Sequence, residues 1–155
     1  MVHYEYDLLK NVMINNDITN IKEQYIELLS YLTKIEDISD KDFINKIEEI
    51  LKIGVILVCY FKDEDKIYLI GSGTIIYEPK LIRNCKYSGH IEDIVVHESY
   101  RKQGIANDII KKLINNSKKR DCYKVILDCK DNLCSFYNKL GFETNGKQMC
   151  KYFTT

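Results

Sequence analysis

Several features that define other classes of protein are scarce or missing in this sequence. The 155 residues include one proline and no low-complexity run, which excludes disordered, collagen-like and mucin-like proteins. No stretch approaches the ~20 consecutive apolar residues of a membrane-spanning helix, and the start, Met1 to Asp7, lacks the basic and apolar regions of a signal peptide. We therefore expect a cytoplasmic protein without a membrane span.

The six cysteines do not follow a known disulfide or metal-binding spacing. No two of them form a Cys-x-x-Cys pair, and Cys59 lies inside an apolar run between Val58 and Tyr60. Buried thiols of cytosolic proteins behave as small apolar side chains. We therefore expect free cysteines and no bound metal.

The chain also lacks a net charge, because 23 basic residues balance 23 acidic ones. This balance gives no support to a general affinity for nucleic acid or an anionic membrane. The charges are nevertheless divided: residues 1–78 carry a net charge of −7 and residues 79–155 a net charge of +7. The second half is therefore the place to look for an anion-binding site.

The apolar residues, 45% of the total, recur at spacings that predict alternating helices and strands. The predicted order, after a strand-like start, is a helix near 20–33 with Asn20 and Glu23 as a capping pair, a helix from Ser39 to Gly54, a hairpin of strands 54–61 and 66–77, a strand His90–Val96, a helix from Ile105, a strand Tyr123–Cys129, a short helix Asp131–Leu140 and a last strand Gln148–Phe153. Glycines at 71 and 73 indicate a bulge or a close backbone approach. We expect a single domain, 1–155, of mixed α/β (α+β) architecture built on a sheet.

The strand that ends at Val96 leads through a polar turn into the helix from Ile105. A helix N-terminus offers unpaired backbone N–H groups and a partial positive charge, and Gly104 and Ala106 leave room for a phosphate. Arg101 and Lys102 add full positive charges beside it. The turn lacks the glycine patterns of dinucleotide-binding and P-loop proteins, and an ordinary strand-to-helix turn remains the alternative.

Several motifs together resemble one family. The pattern Arg101-x-x-Gly104-x-Ala106 is similar to the acetyl-CoA signature of the GNAT superfamily of N-acetyltransferases. The segments at 89–96, 122–129 and 136–142 (Gly-His-Ile-Glu-Asp-Ile-Val-Val, Cys-Tyr-Lys-Val-Ile-Leu-Asp-Cys and Phe-Tyr-Asn-Lys-Leu-Gly-Phe) resemble the glucosamine 6-phosphate N-acetyltransferases in order and spacing. Segments 28–33, 80–85 and 148–153 also resemble that family, so the resemblance covers the chain from about residue 25 onward.

The resemblance implies a GNAT fold, a mixed and mostly antiparallel central sheet flanked by helices, with acetyl-CoA as cosubstrate and no metal. It implies direct attack of the amine of glucosamine 6-phosphate on the thioester, in the route to the nucleotide sugar UDP-N-acetylglucosamine, without a covalent enzyme intermediate. The implied coenzyme-binding residues are Ile94, Val95, Val96, Lys102, Gln103, Gly104, Ile105, Ala106, Asn107, Tyr137, Asn138 and Lys139.

Two residues receive catalytic roles from the resemblance. Asp128 is expected to hold or polarise the substrate amine, and Tyr137 to stabilise or protonate the departing thiolate. A surface or capping acid is the alternative for Asp128, and a core aromatic beside Phe136 is the alternative for Tyr137. His90 and His97 receive no catalytic role.

The implied substrate-binding residues are Thr33, Lys80, Leu81, Ile82, Arg83, Glu92, Asp93, Tyr123, Lys124 and Asp128. Adjacent residues of a strand point to opposite faces, so one of the neighbouring acids Glu92 and Asp93 needs a polar partner. Sugar hydroxyls would supply that partner, with an inter-strand ion pair as the alternative. Lys and Arg suit a sugar phosphate, with a solvated basic face as the alternative.

The chain departs from the family pattern at a few positions. Leu133 stands where the family commonly has Asn, Tyr152 stands where some members have Arg, and the usual Arg-Pro-Leu start is missing. The resemblance further implies a homodimer with an exchanged or intercalated C-terminal strand. Two alternatives remain open: an acetyltransferase with a protein or polyamine acceptor, and a non-catalytic module that binds acetyl-CoA.

Overall fold

The computed structural model describes residues 1–154, which form strands, helices and two short 3-10 turns. In chain order the strands and helices are β1 (Glu5–Leu8), α1 (Leu9–Ile14), α2 (Ile18–Ser30), α3 (Asp40–Leu51), β2 (Gly54–Asp63), β3 (Lys66–Pro79), α4 (Ile82–Cys85), β4 (Tyr87–Val96), α5 (Ile105–Lys119), β5 (Cys122–Ile126) and α6 (Cys134–Asn138). The 3-10 turns are Glu98–Tyr100, after β4, and Asp131–Leu133, before α6.

The strands form one sheet in the order β1-β2-β3-β4-β5. The first four strands pair antiparallel, and β4 and β5 pair parallel. Helix α5 connects these two, because parallel neighbours need a crossover connection. The sheet is therefore mixed and mostly antiparallel, which confirms the predicted fold class.

Alternating residues of the strands send apolar side chains to both faces of the sheet. On β2, Ile56 and Val58 pack with α1, α2 and α3, whereas Leu57 and Cys59 pack with α5. Helix α5 approaches β3 closely, since a Cβ added to Gly73 would lie 2.7 Å from Ile109 Cγ2. The close approach predicted for the glycines of β3 is thus confirmed.

The ends of several elements differ from the predictions. Helix α2 is capped by Asp17, whose carboxylate accepts a hydrogen bond from the Asn20 N–H, so the predicted cap at Asn20 is wrong by one turn. Ser39 caps α3 as its sequence indicates. Strand β5 ends at Ile126 rather than Cys129, and the helix predicted from Asp131 is a 3-10 turn followed by α6.

The last predicted strand, Gln148–Phe153, is absent: residues 143–154 are neither helical nor paired in a sheet. Met149, Tyr152 and Phe153 are 93%, 91% and 84% exposed. A strand is stable only when a neighbour satisfies its backbone hydrogen bonds. The apolar residues of this segment are strand-like in type, but the segment has no partner strand within residues 1–154. No helix in that range has the length and apolar character needed to span a membrane.

Candidate active site

The strands β4 and β5 run side by side and then separate. Their last aligned pair is His90 with Ile126, while β4 continues to Val96. The edge of Ile94–Val96 that faces away from β3 therefore has no β5 partner within the described residues. Apart from the Val96 carbonyl, which Arg101 occupies, the backbone groups on this edge have no strand partner. These are the residues that the resemblance assigns to the pantetheine arm and the thioester carbonyl.

A bulge in β4 lies at the same opening. Thr74 of β3 pairs with Glu92 and Ser72 pairs with Val95, so two residues of β4 oppose one of β3. Asp93 has a φ of 52° there, a conformation that a short polar residue tolerates better than most. The bulge breaks the alternation, and both Glu92 and Asp93 are exposed. The alternation on which the expected placement of the two acids was based is thus broken, and neither acid is fully buried.

Glu92 belongs to a small acidic group at the acceptor side of the opening. Loss of solvent raises the pKa of Glu92, and the nearby carboxylates of Asp93 and Asp128 raise it further, while His90 lowers it. These side chains are thus close enough to share one electrostatic environment. His90 itself is held by Glu78, with Nε2 and Oε2 2.7 Å apart.

The segment Arg101–Asn107, which we call the coenzyme turn, joins β4 to α5. Lys102 and Gly104 have φ of 62° and 83°, and the space where a Gly104 Cβ would lie contains no atom within 4 Å. The first hydrogen bond of α5 runs from the Asp108 N–H to the Gly104 carbonyl at 3.0 Å. The N–H groups of residues 105–107 therefore lack helical acceptors. This open, left-handed turn fits the phosphates of a coenzyme.

Side chains from distant parts of the chain hold the coenzyme turn in place. Arg101 Nε donates to the Val96 carbonyl at 3.1 Å, and its guanidinium lies 5.5 Å from the Tyr31 ring centroid. Tyr4, just before β1, donates to the Gln103 side chain, and Tyr6 of β1 donates to Asp108 Oδ2 at 3.0 Å. Sequence reasoning missed these contacts, because nothing in the local pattern of the first residues connects them to position 103 or 108.

Asp128 lies just beyond the end of β5, where the strands have separated. Lys124 and Ile126 lie on the same face of β5, and Asp128 follows at the same two-residue spacing. The side chain of Asp128 is exposed and accepts a hydrogen bond from Gln148 Nε2 at 2.8 Å. Asp128 is thus open to an amine, and the contact with the C-terminal segment is a second feature that the sequence pattern did not reveal.

Tyr137 lies on α6 and is 8% exposed. Its ring makes edge contacts with Phe136 and Phe142 at centroid distances of 5.0 and 5.8 Å. Burial raises the pKa of Tyr137, and the nearby Cys129 raises it further. The phenol therefore keeps its proton at neutral pH, as a proton donor must. Its neighbours Asn138 and Lys139 are exposed.

A basic cluster surrounds the ring of Tyr123. The Arg83 guanidinium lies 5.7 Å and Lys124 Nζ 5.5 Å from the ring centroid, and Tyr123 is close enough to influence the pKa of Lys80. Arg83 reaches this position because α4 is a left-handed turn in which residues 83, 84 and 85 have φ of 54°, 60° and 60°. Leu81 and Ile82 are exposed beside it, 92% and 60%.

Thr33 is not part of this basic cluster. It follows α2, and its N–H donates to the Leu29 carbonyl at 3.3 Å. The nearby Tyr31 contacts His97, with ring centroids 5.3 Å apart, which puts this end of α2 on the side of the coenzyme turn. No hydrogen bond or ion pair within residues 1–154 joins Thr33 to the other proposed phosphate ligands.

Two further observations concern possible ligands. A groove of about 680 Å³ lies between α2, β3 and the 3-10 turn after β4, and Ser99 and Tyr100 are among its lining residues. It does not include Asp128 or Tyr137.

No group of three or more His, Cys, Asp or Glu side chains among residues 1–154 is arranged to hold a metal ion.

The sheet, the separated strands and the turn before α5 define an acetyltransferase of the GNAT class. Residues 23–142 match the family model described as the Acetyltransferase (GNAT) family, and the chain belongs to this family. The chain is also 35% identical over 138 residues to the glucosamine 6-phosphate N-acetyltransferase of Arabidopsis thaliana, covering 88% of this chain and 93% of that relative.

Two other comparisons agree with this assignment. The enzyme of the same name from Trypanosoma brucei brucei is 34% identical over 143 residues, covering 92% of this chain and 94% of the relative. The crystal structure of the Arabidopsis thaliana enzyme superimposes with a TM-score of 0.85 at 32% identity, covering 98% of this chain and 99% of that chain. The resemblance predicted from the motifs is confirmed.

Proposed function

We propose that this protein transfers the acetyl group of acetyl-CoA to the amine of glucosamine 6-phosphate, giving N-acetylglucosamine 6-phosphate and CoA for the synthesis of UDP-N-acetylglucosamine. The observation that carries this proposal is the position of Asp128 at the opening between β4 and β5. It lies four residues beyond Lys124 of the basic cluster. An acid for the amine and a lysine for the phosphate thus lie along one strand and its extension. Relatives that carry this enzyme name align over most of the chain.

The proposed reaction needs a neutral amine, a polarised carbonyl and a stabilised leaving group. Backbone groups of Ile94–Val96 hold the thioester carbonyl and the pantetheine arm. The coenzyme turn binds the phosphates through the free N–H groups at the start of α5 and the charge of Lys102. Bound acetyl-CoA supplies an activated acetyl group, and no metal is required.

Asp128 orients the amine for direct attack and stabilises the positive charge that develops on the nitrogen, which releases one proton to water as the C–N bond forms and the C–S bond breaks. Tyr137 donates its phenolic proton, or a hydrogen bond, to the sulfur as the thiolate leaves. The mechanism forms no covalent bond to the enzyme. Glu92 and Asp93 bind sugar hydroxyls at the bulge, and Lys80, Arg83 and Lys124 bind the 6-phosphate.

The function is tested by acceptor competition, following the acetylated product by chromatography. Glucosamine 6-phosphate is expected to be acetylated, and glucosamine without the phosphate is expected to react with a higher KM. Turnover of a polyamine or a lysine peptide, with none of the sugar phosphate, would assign the protein to the alternative acceptor class. Coenzyme binding by calorimetry without turnover of any amine would identify a non-catalytic module.

The C-terminal segment supports a homodimer. Three of its large apolar side chains are almost fully exposed, and a strand of this composition needs a neighbour to pair with. We propose that two copies pair through residues 148–153. Sedimentation of the full chain should give a dimer and sedimentation of a chain ending at Lys147 a monomer; a full-length monomer at micromolar concentration would contradict the proposal.

We also propose that the enzyme works as one domain in the cytoplasm. The cysteines described in the structure are free, including the exposed Cys85, Cys129 and Cys150. Exposed free thiols are typical of a reducing compartment. Fractionation of cells that express a tagged full-length chain checks this assignment.

A further inference from the structure

Two thiols lie against each other between the proposed catalytic residues. The Sγ atoms of Cys129 and Cys134 are 3.8 Å apart. Cys129 directly follows Asp128, and Cys134 is the first residue of α6, three positions before Tyr137. The segment between the two cysteines therefore connects the residue assigned to the amine with the residue assigned to the thiolate.

The other cysteines differ from this pair in their surroundings. Cys59 is fully buried, and Cys122 is half-buried in the core beside α5. The exposed Cys85 contacts the Leu81 carbonyl at 3.9 Å. Among residues 1–154, Cys129 and Cys134 are the one pair of thiols in hydrogen-bond contact with each other, and this contact distinguishes them from the other cysteines.

The local backbone allows the two sulfurs to come closer. A disulfide has an S–S distance of about 2.05 Å, so the gap must shrink by about 1.8 Å. Residues 127–130 have no regular structure, and the 3-10 turn that follows is closed by a hydrogen bond from the Leu133 N–H to the Lys130 carbonyl at 2.9 Å. Closing the gap requires a side-chain rotation or a shift of the loop at Cys129, which no helix or strand holds in place.

We propose that Cys129 and Cys134 are a modification site, a dithiol that small disulfides such as oxidised glutathione convert reversibly into an intramolecular disulfide. The thiolate of the exposed Cys129 attacks one sulfur of the oxidant, the oxidant's S–S bond breaks, and the first glutathione leaves as a thiolate and takes a proton. The thiolate of Cys134 then attacks Cys129 Sγ and displaces the second glutathione. Two protein thiols are oxidised by two electrons, and one glutathione disulfide is reduced to two thiols.

The surroundings of the pair slow its oxidation. Loss of solvent, the contact with Cys134 and the charges of Asp131 and Asp128 raise the pKa of the Cys129 thiol. A small thiolate fraction makes attack slow at neutral pH and faster as the pH rises. The dithiol therefore responds to sustained oxidation rather than to brief exposure.

The consequence for activity rests on the proposed function. A covalent bond between the loop after β5 and the start of α6 is expected to shift Asp128 relative to Tyr137. Displacements of about 1 Å in a catalytic arrangement cost roughly a hundredfold in rate. Oxidation is thus expected to lower kcat and reduction with dithiothreitol to restore it.

Peptide mapping tests the disulfide without reference to activity. The reduced full chain is incubated with oxidised glutathione at mildly alkaline pH, the remaining thiols are alkylated, and the chain is digested with trypsin. Cleavage after Lys124, Lys130 and Lys139 puts the two cysteines on separate peptides, 125–130 and 131–139. A linked pair of these two peptides, from a chain that is monomeric on a denaturing gel without reductant, is the expected result.

Two variants make the test specific. Cys134→Ser removes the second thiol and should give only a glutathione adduct on Cys129, whereas Cys85→Ser removes a distant exposed thiol and should still give the linked peptides. Recovery of Cys129 and Cys134 only as separate adducts in the unmodified protein, or linkage to Cys150 instead, would overturn the proposal.

Activity is measured on the same samples. The oxidised protein and its Cys85→Ser variant should lose activity in proportion to the linked peptide and regain it with dithiothreitol, while Cys134→Ser should not follow this course. Linked peptides without loss of activity would overturn the proposed effect on catalysis, while Cys129 and Cys134 would stand as a modification site. If the reduced protein acetylates no glucosamine 6-phosphate, the proposed function is refuted. The peptide map would still show whether the disulfide forms.

Discussion

The coenzyme turn and the C-terminal segment, residues 143–154, contrast sharply within one chain. The turn is fixed by the carbonyl of Val96, by Tyr4 and by the buried first residue of α5, Ile105. The C-terminal segment has no regular structure, and its hydrogen bond from Gln148 to Asp128 is its link to the proposed site.

This difference indicates that contacts within the chain fix the coenzyme half of the site more firmly than the acceptor half, where Asp128 has one hydrogen bond to the C-terminal segment. Coenzyme binding should therefore survive changes that abolish acceptor chemistry. Variants on each side separate the two halves.

The largest effect is expected from Asp128→Ala on the acceptor side. Removal of the carboxylate leaves the amine without its orienting partner, and we expect kcat/KM for glucosamine 6-phosphate to fall ~1,000-fold. Calorimetric affinity for acetyl-CoA should not change, because the coenzyme turn is intact. The matched control is Asp131→Ala, an exposed acid three positions on, which should keep its activity; an equal loss in both variants would contradict the role of Asp128.

Tyr137→Phe tests the junction between the two halves. The ring keeps its contacts with Phe136 and Phe142, and only the proton donor is lost, so we expect kcat to fall roughly 100-fold with little change in coenzyme affinity. Burial and Cys129 raise the pKa of Tyr137, so the phenol stays protonated until the pH exceeds the ordinary tyrosine range. Activity that depends on it is then lost as the pH rises further.

The pH profile of kcat distinguishes this role from a packing role. The wild-type profile should fall on the alkaline side, and that fall should be absent from Tyr137→Phe. Tyr68→Phe, at an exposed position of the β2–β3 hairpin, should reproduce the wild-type profile. An unchanged alkaline limb in Tyr137→Phe would show that another group carries the proton.

Gly104→Ala probes the coenzyme side, with Gly146→Ala as its counterpart in the C-terminal segment. Both glycines have positive φ, 83° and 85°, and neither would place a Cβ within 4 Å of another atom. A left-handed conformation costs an alanine ~1–2 kcal/mol, so at position 104 the turn loses its preferred shape. We expect the Kd for acetyl-CoA to rise about tenfold at position 104 and to stay unchanged at 146; equal effects would show that strain alone is being measured.

The same contrast explains which features sequence reasoning reached. The hairpin, the sheet class and the turn before α5 depend on local periodicity and on glycine positions, and they were predicted. The end of β5 and the missing strand at 148–153 were not, because both depend on whether a neighbouring strand is present. A strand-like composition does not supply a partner.

Within the candidate site, motif spacing placed Asp128, Tyr137 and the coenzyme turn on suitable elements. It did not find the bulge at Asp93, which breaks the alternation assumed for the two acids. Contacts such as Tyr4 with Gln103 join residues about a hundred positions apart. Local patterns carry no information on such contacts, so only the folded chain reveals them.

The smallest effect is expected at the basic cluster, from Lys124→Met. Lys124 is exposed, so water already screens its charge and the loss of one phosphate contact should raise the KM for glucosamine 6-phosphate about fivefold. The control is Lys119→Met, at the end of α5. Removing the phosphate from the substrate and the lysine from the protein forms a double-mutant cycle. If Lys124 acts on the phosphate, the KM for unphosphorylated glucosamine should be the same in the wild type and in Lys124→Met. Equal increases for both sugars would mean that Lys124 only supports the ring of Tyr123, and the acceptor half would then owe its preference for a phosphate to Lys80 and Arg83.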